Sequence, residues 1–201
     1  MSYSQNGEEA VILEYFSGRT SPGRFLDVGA YTGVELSNTR ALAELGWSGV
    51  LLEPSPNNFT ALQRNYAGRS GFDLLSVGLG IERKLVRFHD CTDAVSTTEE
   101  ENRKLWAEKG GVTFAPIWIH TIRWRDLFEM FPGPFDFVTI DTEGTSVDLF
   151  YDFAIEAARP AMICVEHDGE PNAKAMTRYA RPFQYSELYY DGNNLILGLQ
   201  K

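Results

Sequence analysis

An acidic residue lies inside a short apolar run near the N-terminus. Asp27 interrupts the run 25–28, and a turn that contains Gly29 and Gly33 follows it. A second acidic residue, Glu53, ends the next apolar run further along the chain. A buried carboxylate costs several kcal/mol unless it is paired or hydrogen-bonded. Both residues are therefore candidates to meet a cation or a hydrogen-bond donor at the end of a strand.

The glycine turn does not match the fingerprint of a dinucleotide site. That fingerprint is G-x-G-x-x-G, and Tyr31 stands where its second glycine would be, so a pyrophosphate would lack its usual close approach to the backbone. Asp27 would repel a phosphate and attract an ammonium group, whereas Glu53 could accept both hydrogen bonds of a ribose diol. S-adenosylmethionine (SAM) carries a ribose and a cation but no phosphate, and it fits this pattern. The alternatives are a helix-capping role for Asp27 and a surface strand end at Glu53.

Two further polar segments follow apolar runs later in the chain. They are Asp-Thr-Glu-Gly at 141–144 and Glu-His-Asp-Gly at 166–169. Neighbouring parallel strands would bring both segments to one rim of a sheet. Such a density of carboxylates is repulsive unless protons, a metal or a cationic substrate offsets it.

Two chemistries are open for this acidic rim. In the first, His167 is the general base for methyl transfer to oxygen, because histidine titrates near neutrality, and Asp141 or Glu143 orients it or acts instead. In the second, a divalent cation such as Mg²⁺ binds Asp141, Glu166 and Asp168 and lowers the pKa of a substrate hydroxyl. A structural, hydrogen-bonded His167 and a helix-capping Glu143 are the alternatives.

Apolar runs and amphipathic stretches alternate along most of the chain. The apolar runs predict main strands at 24–29, 49–53, 72–80, 135–144 and 161–169, and an extra strand at 84–90. The amphipathic stretches predict helices at 35–45, 55–66 and 146–158. A terminal hairpin is predicted from 183–190, the turn 191–194 and 195–200. We therefore expect a Rossmann-like α/β sandwich, a mostly parallel sheet with a C-terminal antiparallel hairpin.

The segment 91–111 does not fit this alternation, because it is polar and charged. Ser96 and Glu99 have the spacing of a capping box, and the glycine pair 110–111 would end the helix. We interpret the segment either as a solvated surface helix or as a lid or acceptor-recognition insert.

Several aromatic and histidine residues near this insert have two interpretations each. The aromatic residues that could stack on an acceptor ring are Trp106, Phe114, Trp118 and Trp124. Core packing is the simpler explanation for most of them. His89 and His120 have no carboxylate runs beside them, and we expect them to be core or surface residues.

Several blocks of the sequence resemble the FkbM-like family of SAM-dependent class I methyltransferases. The blocks follow in order at 3–12, 25–33, 51–66, 135–144 and 192–197. They are similar to the family's Ser-Gln-x-Gly-Glu-Asp segment, its glycine loop, its acidic strand end with Pro-x-Pro, its Ile-Asp-x-Glu-Gly signature and its closing strand. Tyr31 departs from the Asn that is common in the loop, and Glu9 departs from the usual Asp.

The resemblance implies SAM contacts at the N-terminal segment, the glycine loop and the strand ends. The implied residues are Gln5, Gly7, Glu8, Asp27, Gly29, Ala30, Tyr31, Gly33, Glu53, Pro54, Ser76, Val77, Gly78 and Asp141. The glycine loop would wrap the amino acid end of SAM, Glu53 would hold the ribose, and the segment 76–78 would lie at the adenine. Gln5 and Glu8 have an alternative role as plain helix-start residues.

The composition favours one globular domain over residues 1–201. The chain is 43% hydrophobic with a formal net charge of −10, and this charge disfavours duplex nucleic acid as a partner. Two cysteines are too few for a disulfide framework, which favours a reducing compartment. Neither a signal-peptide pattern nor an apolar window of about 20 residues is present. We therefore expect a cytoplasmic protein without a membrane span.

These observations together predict a SAM-dependent methyltransferase that methylates a hydroxyl on a saccharide or a small-molecule natural product. The resemblance supplies the oxygen and the saccharide, whereas the residues alone indicate a SAM site and an acidic acceptor rim. The alternatives are a non-catalytic SAM-binding domain and an NAD-dependent oxidoreductase. The acidic rim argues against the first, and the missing second glycine argues against the other.

Overall fold

The computed structural model of the protein describes residues 2–200, which form an α/β fold. Its strands are β1 (Arg24–Val28), β2 (Ser48–Leu52), β3 (Phe72–Leu75), β4 (Gly78–Leu79), β5 (Leu85–Asp90), β6 (Ala115–Ile122), β7 (Phe137–Ile140), β8 (Met162–Glu166), β9 (Tyr185–Tyr190) and β10 (Asn194–Leu199). Its helices are α1 (Glu8–Phe16), α2 (Arg40–Glu44), α3 (Pro56–Asn65), α4 (Glu100–Gly110), α5 (Trp124–Met130), α6 (Ser146–Asp152), α7 (Ile155–Ala158) and α8 (Glu170–Ala180). None of these helices is both long and apolar enough to cross a membrane.

A seven-stranded sheet forms the centre of the described chain, in the order β3-β2-β1-β7-β8-β10-β9. The first five strands of this order pair in parallel, whereas β10 runs antiparallel to both of its neighbours. The expected parallel sheet with a C-terminal antiparallel hairpin is thus confirmed. The strand order reverses between β1 and β7, and open α/β sheets bind their ligands beyond the carboxyl ends of the strands at such a point.

The register of the central strands aligns their carboxyl ends. Val28, the last residue of β1, pairs with Leu52 of β2 and with Ile140 of β7. Glu53 and Asp141 each follow one of these paired residues. The fold therefore brings them to the same edge of the sheet, as their positions after apolar runs predict.

Apolar side chains cover both faces of the sheet, which explains why its strands are nearly continuous apolar runs. Leu26 belongs to the core on one face, together with Phe150 of α6. Phe25 belongs to the core on the other face, together with Ile12 of α1. Successive residues of β1 thus point to opposite cores, as the two-residue period of a strand requires.

A second, smaller sheet has the order β4-β6-β5. It forms because the predicted strand 72–80 is interrupted at residues 76 and 77, so that β3 stays in the large sheet while β4 pairs with β6. The expected extra strand at 84–90 is present as β5, which pairs antiparallel with β6. The apolar pattern does not predict β6, α5 or α8.

Two predicted helices are shorter than expected. The helix predicted at 35–45 begins only at Arg40, because Leu36 has a left-handed backbone (φ 56°) and the Ser37 hydroxyl accepts a hydrogen bond from the Arg40 amide at 3.1 Å. The helix predicted at 146–158 is divided into α6 and α7, since the backbone at Phe153 is extended (φ −68°, ψ 121°).

The segment 91–111 contains a helix, α4, as expected. Gly111 ends it in a left-handed conformation (φ 63°). The predicted capping box is wrong, because the helix begins at Glu100 and the Ser96 hydroxyl instead accepts a hydrogen bond from the Cys91 amide at 3.0 Å. α4 buries none of its side chains, so packing against a core does not hold it in place.

Candidate functional site

A cavity of about 810 Å³ lies at the carboxyl ends of β1, β2 and β7. Asp27, Glu53 and Asp141 line it, together with the loops that follow each strand. Its position coincides with the reversal of the strand order, where ligands of such sheets bind. Its volume falls within the range of small-molecule pockets, roughly 300–1,000 Å³.

The glycine loop closes one side of the cavity through short backbone contacts. The amides of Gly29 and Ala30 donate to the Leu52 carbonyl at 3.0 and 2.9 Å, and the Gly33 amide donates to the Ala30 carbonyl at 2.8 Å. A Cβ on Gly29, whose φ is +88°, would overlap the backbone carbonyl of Asp141. Glycine is required there because the loop after β1 passes directly against the loop after β7.

Asp27 is buried and lines the cavity. The Thr39 hydroxyl donates to its Oδ2 at 2.6 Å. Burial raises the pKa of Asp27 to about 6, although this hydrogen bond favours the charged form. A cationic group in the cavity would relieve the cost of the buried charge.

Glu53 is also buried on the cavity wall, and it organises the loops around it. Its Oε2 accepts from the Tyr31 amide at 2.9 Å, and its Oε1 accepts from the Ser55 amide at 2.7 Å. Burial nevertheless raises the pKa of Glu53 to about 8. Each carboxylate oxygen has a second lone pair, which leaves room for a ligand hydroxyl. Pro54, the next residue, lines the same wall.

Asn38 is a cavity residue that the sequence analysis does not single out. Its side chain is buried and lines the cavity, and its Oδ1 has no hydrogen-bond partner among the described residues. A buried acceptor without a donor costs about 1–3 kcal/mol, so Asn38 is a candidate contact for a ligand that donates a hydrogen bond. The only signal was the polar run Ser-Asn-Thr at 37–39 inside a predicted helix.

The remaining predicted cofactor residues divide into two groups. Gln5, Val77 and Gly78 line the cavity. Residues that do not line it are Gly7, Glu8, Gly33 and Ser76. Glu8 is fully buried and accepts from the Asn194 side chain at 2.8 Å. Because Asn194 does line the cavity, Glu8 supports the wall from behind.

Three carboxylates gather on the far side of the cavity. Carboxylate oxygens of Asp141, Glu143 and Glu166 lie within 4.8 Å of one another, and the Ser146 hydroxyl donates to Glu166 at 3.0 Å. Burial, followed by repulsion from its neighbours, raises the pKa of each of the three above its ordinary value. The predicted metal ligand Asp168 is exposed and lies outside both this group and the cavity lining.

His167 does not line the cavity. Its side chain is 1% exposed, Nδ1 accepts from the Gly169 amide at 2.9 Å, and Nε2 lies 3.1 Å from the Asp191 carbonyl. Since Nδ1 accepts a hydrogen bond, Nε2 carries the proton of the neutral ring and donates a hydrogen bond to that carbonyl. This geometry favours the structural alternative for His167 over the role of general base.

The insert contacts the acidic side of the cavity at the start of α4. The Thr97 hydroxyl donates to the Glu143 carbonyl at 2.6 Å and accepts from the Glu99 amide at 2.9 Å. Gly144, with φ +104°, leaves the space that Asn102 of α4 occupies. The insert is thus joined directly to the loop that carries Asp141 and Glu143.

The aromatic and histidine residues near the insert differ in their surroundings. Trp106 and Trp118 line the cavity. Trp124 is buried in the core and donates from Nε1 to the Leu149 carbonyl at 3.0 Å. The side chains outside the cavity lining include Phe114, His89 and His120. Of the histidines, His89 is buried beside Glu100 at 3.2 Å and His120 is exposed.

The parallel sheet, the glycine loop at its switch point and the similar solved structures define a class I methyltransferase fold. The family model of the methyltransferase FkbM domain matches residues 27–188, and the chain belongs to this family. Membership of a methyltransferase family implies SAM as the methyl donor. None of the curated proteins compared with the chain matches it.

Three solved structures illustrate the likeness. The ribosomal protein L11 methylase of Lactobacillus delbrueckii subsp. bulgaricus is 12% identical to this chain, with a TM-score of 0.51. The match covers 95% of this chain and 77% of the methylase chain. A putative RNA methyltransferase of Pyrococcus horikoshii is 10% identical with a TM-score of 0.51, covering 97% and 84%. A precorrin-6y C5,15-methyltransferase of Geobacter metallireducens GS-15 is 10% identical with a TM-score of 0.51, covering 96% and 87%. At these identities the likeness shows the fold alone.

The contact at Gly29 predicts a strong effect of a single methyl group. Gly29→Ala should destabilise the protein by more than about 1–2 kcal/mol, the cost of a left-handed backbone alone, because the methyl also overlaps the Asp141 carbonyl. Urea unfolding measures the change. Gly18→Ala is the matched control, since a Cβ there meets no atom within 4 Å. Equal stability of the two variants would contradict the close approach of the two loops.

The hydrogen bonds of His167 predict a structural phenotype. His167→Ala should lower Tm, because it removes two buried hydrogen bonds, each contributing about 0.5–1.5 kcal/mol. SAM affinity, measured by calorimetry on the folded variant, should stay within about threefold of the unmodified protein. Unchanged stability together with lost methyl transfer would return His167 to the role of general base.

Proposed function

We propose that this chain is an enzyme that binds SAM in the cavity at the carboxyl edge of the sheet and methylates a hydroxyl oxygen of a saccharide or a small-molecule natural product. The observation that carries the cofactor assignment is the pair Asp27 and Asn38, which both line the cavity, Asp27 as a buried carboxylate and Asn38 with a buried Oδ1 that has no partner among the described residues. A buried carboxylate and a buried amide oxygen together suit a ligand with an ammonium group.

The residues around the cavity fit the chemistry of SAM. Asp27 and Asn38 would hold its cationic amino acid end, and the backbone of Gly29 and Ala30 would pass beside it. Glu53 would accept hydrogen bonds from the ribose hydroxyls. The nearby carboxylates and the incomplete glycine fingerprint disfavour a pyrophosphate, which supports SAM over a dinucleotide.

SAM supplies an electrophilic methyl group on a sulfonium and leaves as the neutral thioether. The chain must then orient the acceptor hydroxyl and accept the proton that the hydroxyl loses. Glu143 and Asp141 line the cavity, and their raised pKa values bring their proton exchange closer to neutral pH. We assign the proton-accepting role to Glu143, with Asp141 as its neighbouring carboxyl group.

The proposed reaction needs no metal ion. The set predicted from the sequence, Asp141, Glu166 and Asp168, is not assembled, because Asp168 lies outside the carboxylate group. Glu143 takes its place, and the three grouped carboxylates are close enough to hold one cation. Binding of Mg²⁺ by these three carboxylates is therefore the alternative to a metal-free reaction.

We also propose that residues 1–201 act as one domain in which the insert 91–111 covers the acceptor side of the cavity. The exposed faces of α4 and its link from Thr97 to the Glu143 carbonyl support a covering role. Both cysteines are free, in keeping with the expected cytoplasmic location.

SAM affinity should depend on the ionisation of Asp27. Burial raises the pKa of Asp27 to about 6, so this carboxyl is mostly charged at about pH 7.5 and mostly protonated at about pH 5. We therefore expect SAM to bind more weakly as the pH falls through this range. Asp27→Asn should weaken binding at about pH 7.5 by about 1.5–3 kcal/mol and flatten the pH dependence. Isothermal titration calorimetry measures both effects.

The same calorimetric titration of SAM also provides the control and tests the alternative functions. Asp73→Asn, an exposed change on β3, should bind SAM like the unmodified protein. The titration is run in EDTA and then in excess magnesium chloride, and a strict requirement for magnesium would contradict a metal-free site. Binding of NAD without binding of SAM would replace the proposal by the oxidoreductase alternative. Tight SAM binding without turnover of any acceptor would favour the non-catalytic domain.

Glu143→Gln should increase stability while reducing turnover. A carboxyl whose folded-state pKa is raised contributes stability at low pH that is lost as the pH rises through that pKa. Removing this charge should therefore raise Tm at about pH 8 and have little effect at about pH 4. Turnover of a hydroxyl acceptor should fall by about 10²–10⁴-fold. Glu14→Gln, an exposed change on α1, is the control, and a lower Tm for Glu143→Gln at pH 8 would refute the repulsion.

A further inference from the structure

The cavity extends past the cofactor loops to a wall of exposed apolar side chains. We call this the acceptor wall, and its members are Ile81, Leu85, Trp106 and Trp118. They are 57%, 52%, 36% and 66% exposed, and all four line the cavity. Large apolar side chains gathered in this way on one surface mark a place where another molecule binds.

Folding of the small sheet does not require these residues to be apolar. Arg87 pairs with Trp118 across β5 and β6, which places Leu85 and Trp118 on one face of the strand pair. Phe88 and Ile119, on the opposite face, are buried and complete the apolar packing. An antiparallel pair with one packed face usually presents polar residues on the other. The exposed face, which also carries Arg87 and His120, therefore presents Leu85 and Trp118 to a ligand.

The charges around the cavity restrict the ligand further. Of the ionisable side chains that line it, nine are Asp or Glu and two are Lys or Arg. One of the two cations, Lys84, already forms an ion pair with Glu82 at 2.8 Å. A polyanion such as RNA or a sugar nucleotide would meet repulsion here, because phosphate recognition needs an excess of basic groups.

We propose that the methyl acceptor is an uncharged or cationic molecule without phosphate, whose flat apolar ring stacks on the acceptor wall at Trp118 and Trp106. This inference rests on the methyl transfer proposed above. Tryptophan faces bind flat rings by stacking and bind cations through the ring quadrupole. The carboxylates of Asp141 and Glu143, at which we propose that its hydroxyl loses a proton, line the same cavity.

The test compares three naphthalene compounds that differ in charge. The protein is saturated with S-adenosylhomocysteine, and 2-naphthol, 2-naphthylmethylamine and 2-naphthyl phosphate are titrated by calorimetry. We expect 2-naphthol and the amine to bind, and the phosphate to bind at least about tenfold more weakly. A ten-nucleotide oligouridylate serves as the nucleic-acid probe, and we expect it not to bind.

Matched variants locate the binding. Trp118→Ala and, separately, Trp106→Ala should each weaken 2-naphthol binding at least about tenfold. Leu45→Ala is the control, because Leu45 is 61% exposed and lies outside the cavity lining. Thermal melts confirm that all three variants fold.

The outcomes separate this inference from the proposed function. Equal binding of the phosphate or the oligouridylate, no binding of 2-naphthol, or tryptophan variants that behave like the control would each overturn the acceptor class. SAM binding would stand in all of those cases. Failure to bind SAM in the preceding titration would instead overturn the proposed function itself.

Discussion

The main constraint on this structure is that five carboxyl groups lie around one cavity, where burial removes much of their hydration. Asp27, Glu53, Asp141, Glu143 and Glu166 reach the carboxyl edge of the sheet, and burial raises the pKa of every one of them. Hydroxyl and backbone amide donors stabilise part of this charge, and protonation offsets more of it. The free-energy cost of burying the remaining negative charge means that the cavity favours cations and positively polarised ligands. A sulfonium donor with an ammonium group matches that requirement, whereas a phosphate-bearing ligand does not.

The glycine loop after β1 gives the cavity its shape at the acidic carboxyl edge of the sheet. Gly29 lets the loop after β1 pass against the carbonyl of Asp141, so the two loops on either side of the switch point share one wall. Glu53 then fixes the same loop by accepting the amide of Tyr31. The close approach at Gly29 and the buried Glu53 side chain therefore both fix the position of this loop beside the loop that carries Asp141. A shift of this loop would change both halves of the site together.

Much of this arrangement can be predicted from the sequence. The predictions that are wrong or missing concern residues whose positions depend on local backbone geometry. Strand ends predict where Asp27 and Glu53 lie, because apolar runs and the parallel order fix the edge. Asn38 does not follow from the sequence, because the left-handed backbone at Leu36 delays the start of the expected helix to Arg40 and hydrophobic periodicity does not predict such a turn. The sequence predicts His167 as a base because it follows a strand and histidine titrates near neutrality. Its ring is instead buried and hydrogen-bonded to Gly169 and Asp191, so Glu166 lines the cavity and His167 does not.

The residues that we propose for acceptor recognition lie outside the large sheet that the similar solved structures share. Proteins that share this fold at 10–12% identity are named for a ribosomal protein, an RNA and a precorrin as their substrates. The shared fold therefore says little about what receives the methyl group. In this chain the break after β3 diverts the backbone into a second sheet, which carries Trp118, and the insert adds Trp106 on α4. Thr97, which precedes α4, donates a hydrogen bond to the carbonyl of Glu143. The insert that carries Trp106 is thus bonded to the loop that carries the proposed base, and this contact would couple the proposed recognition of the acceptor to the removal of its proton.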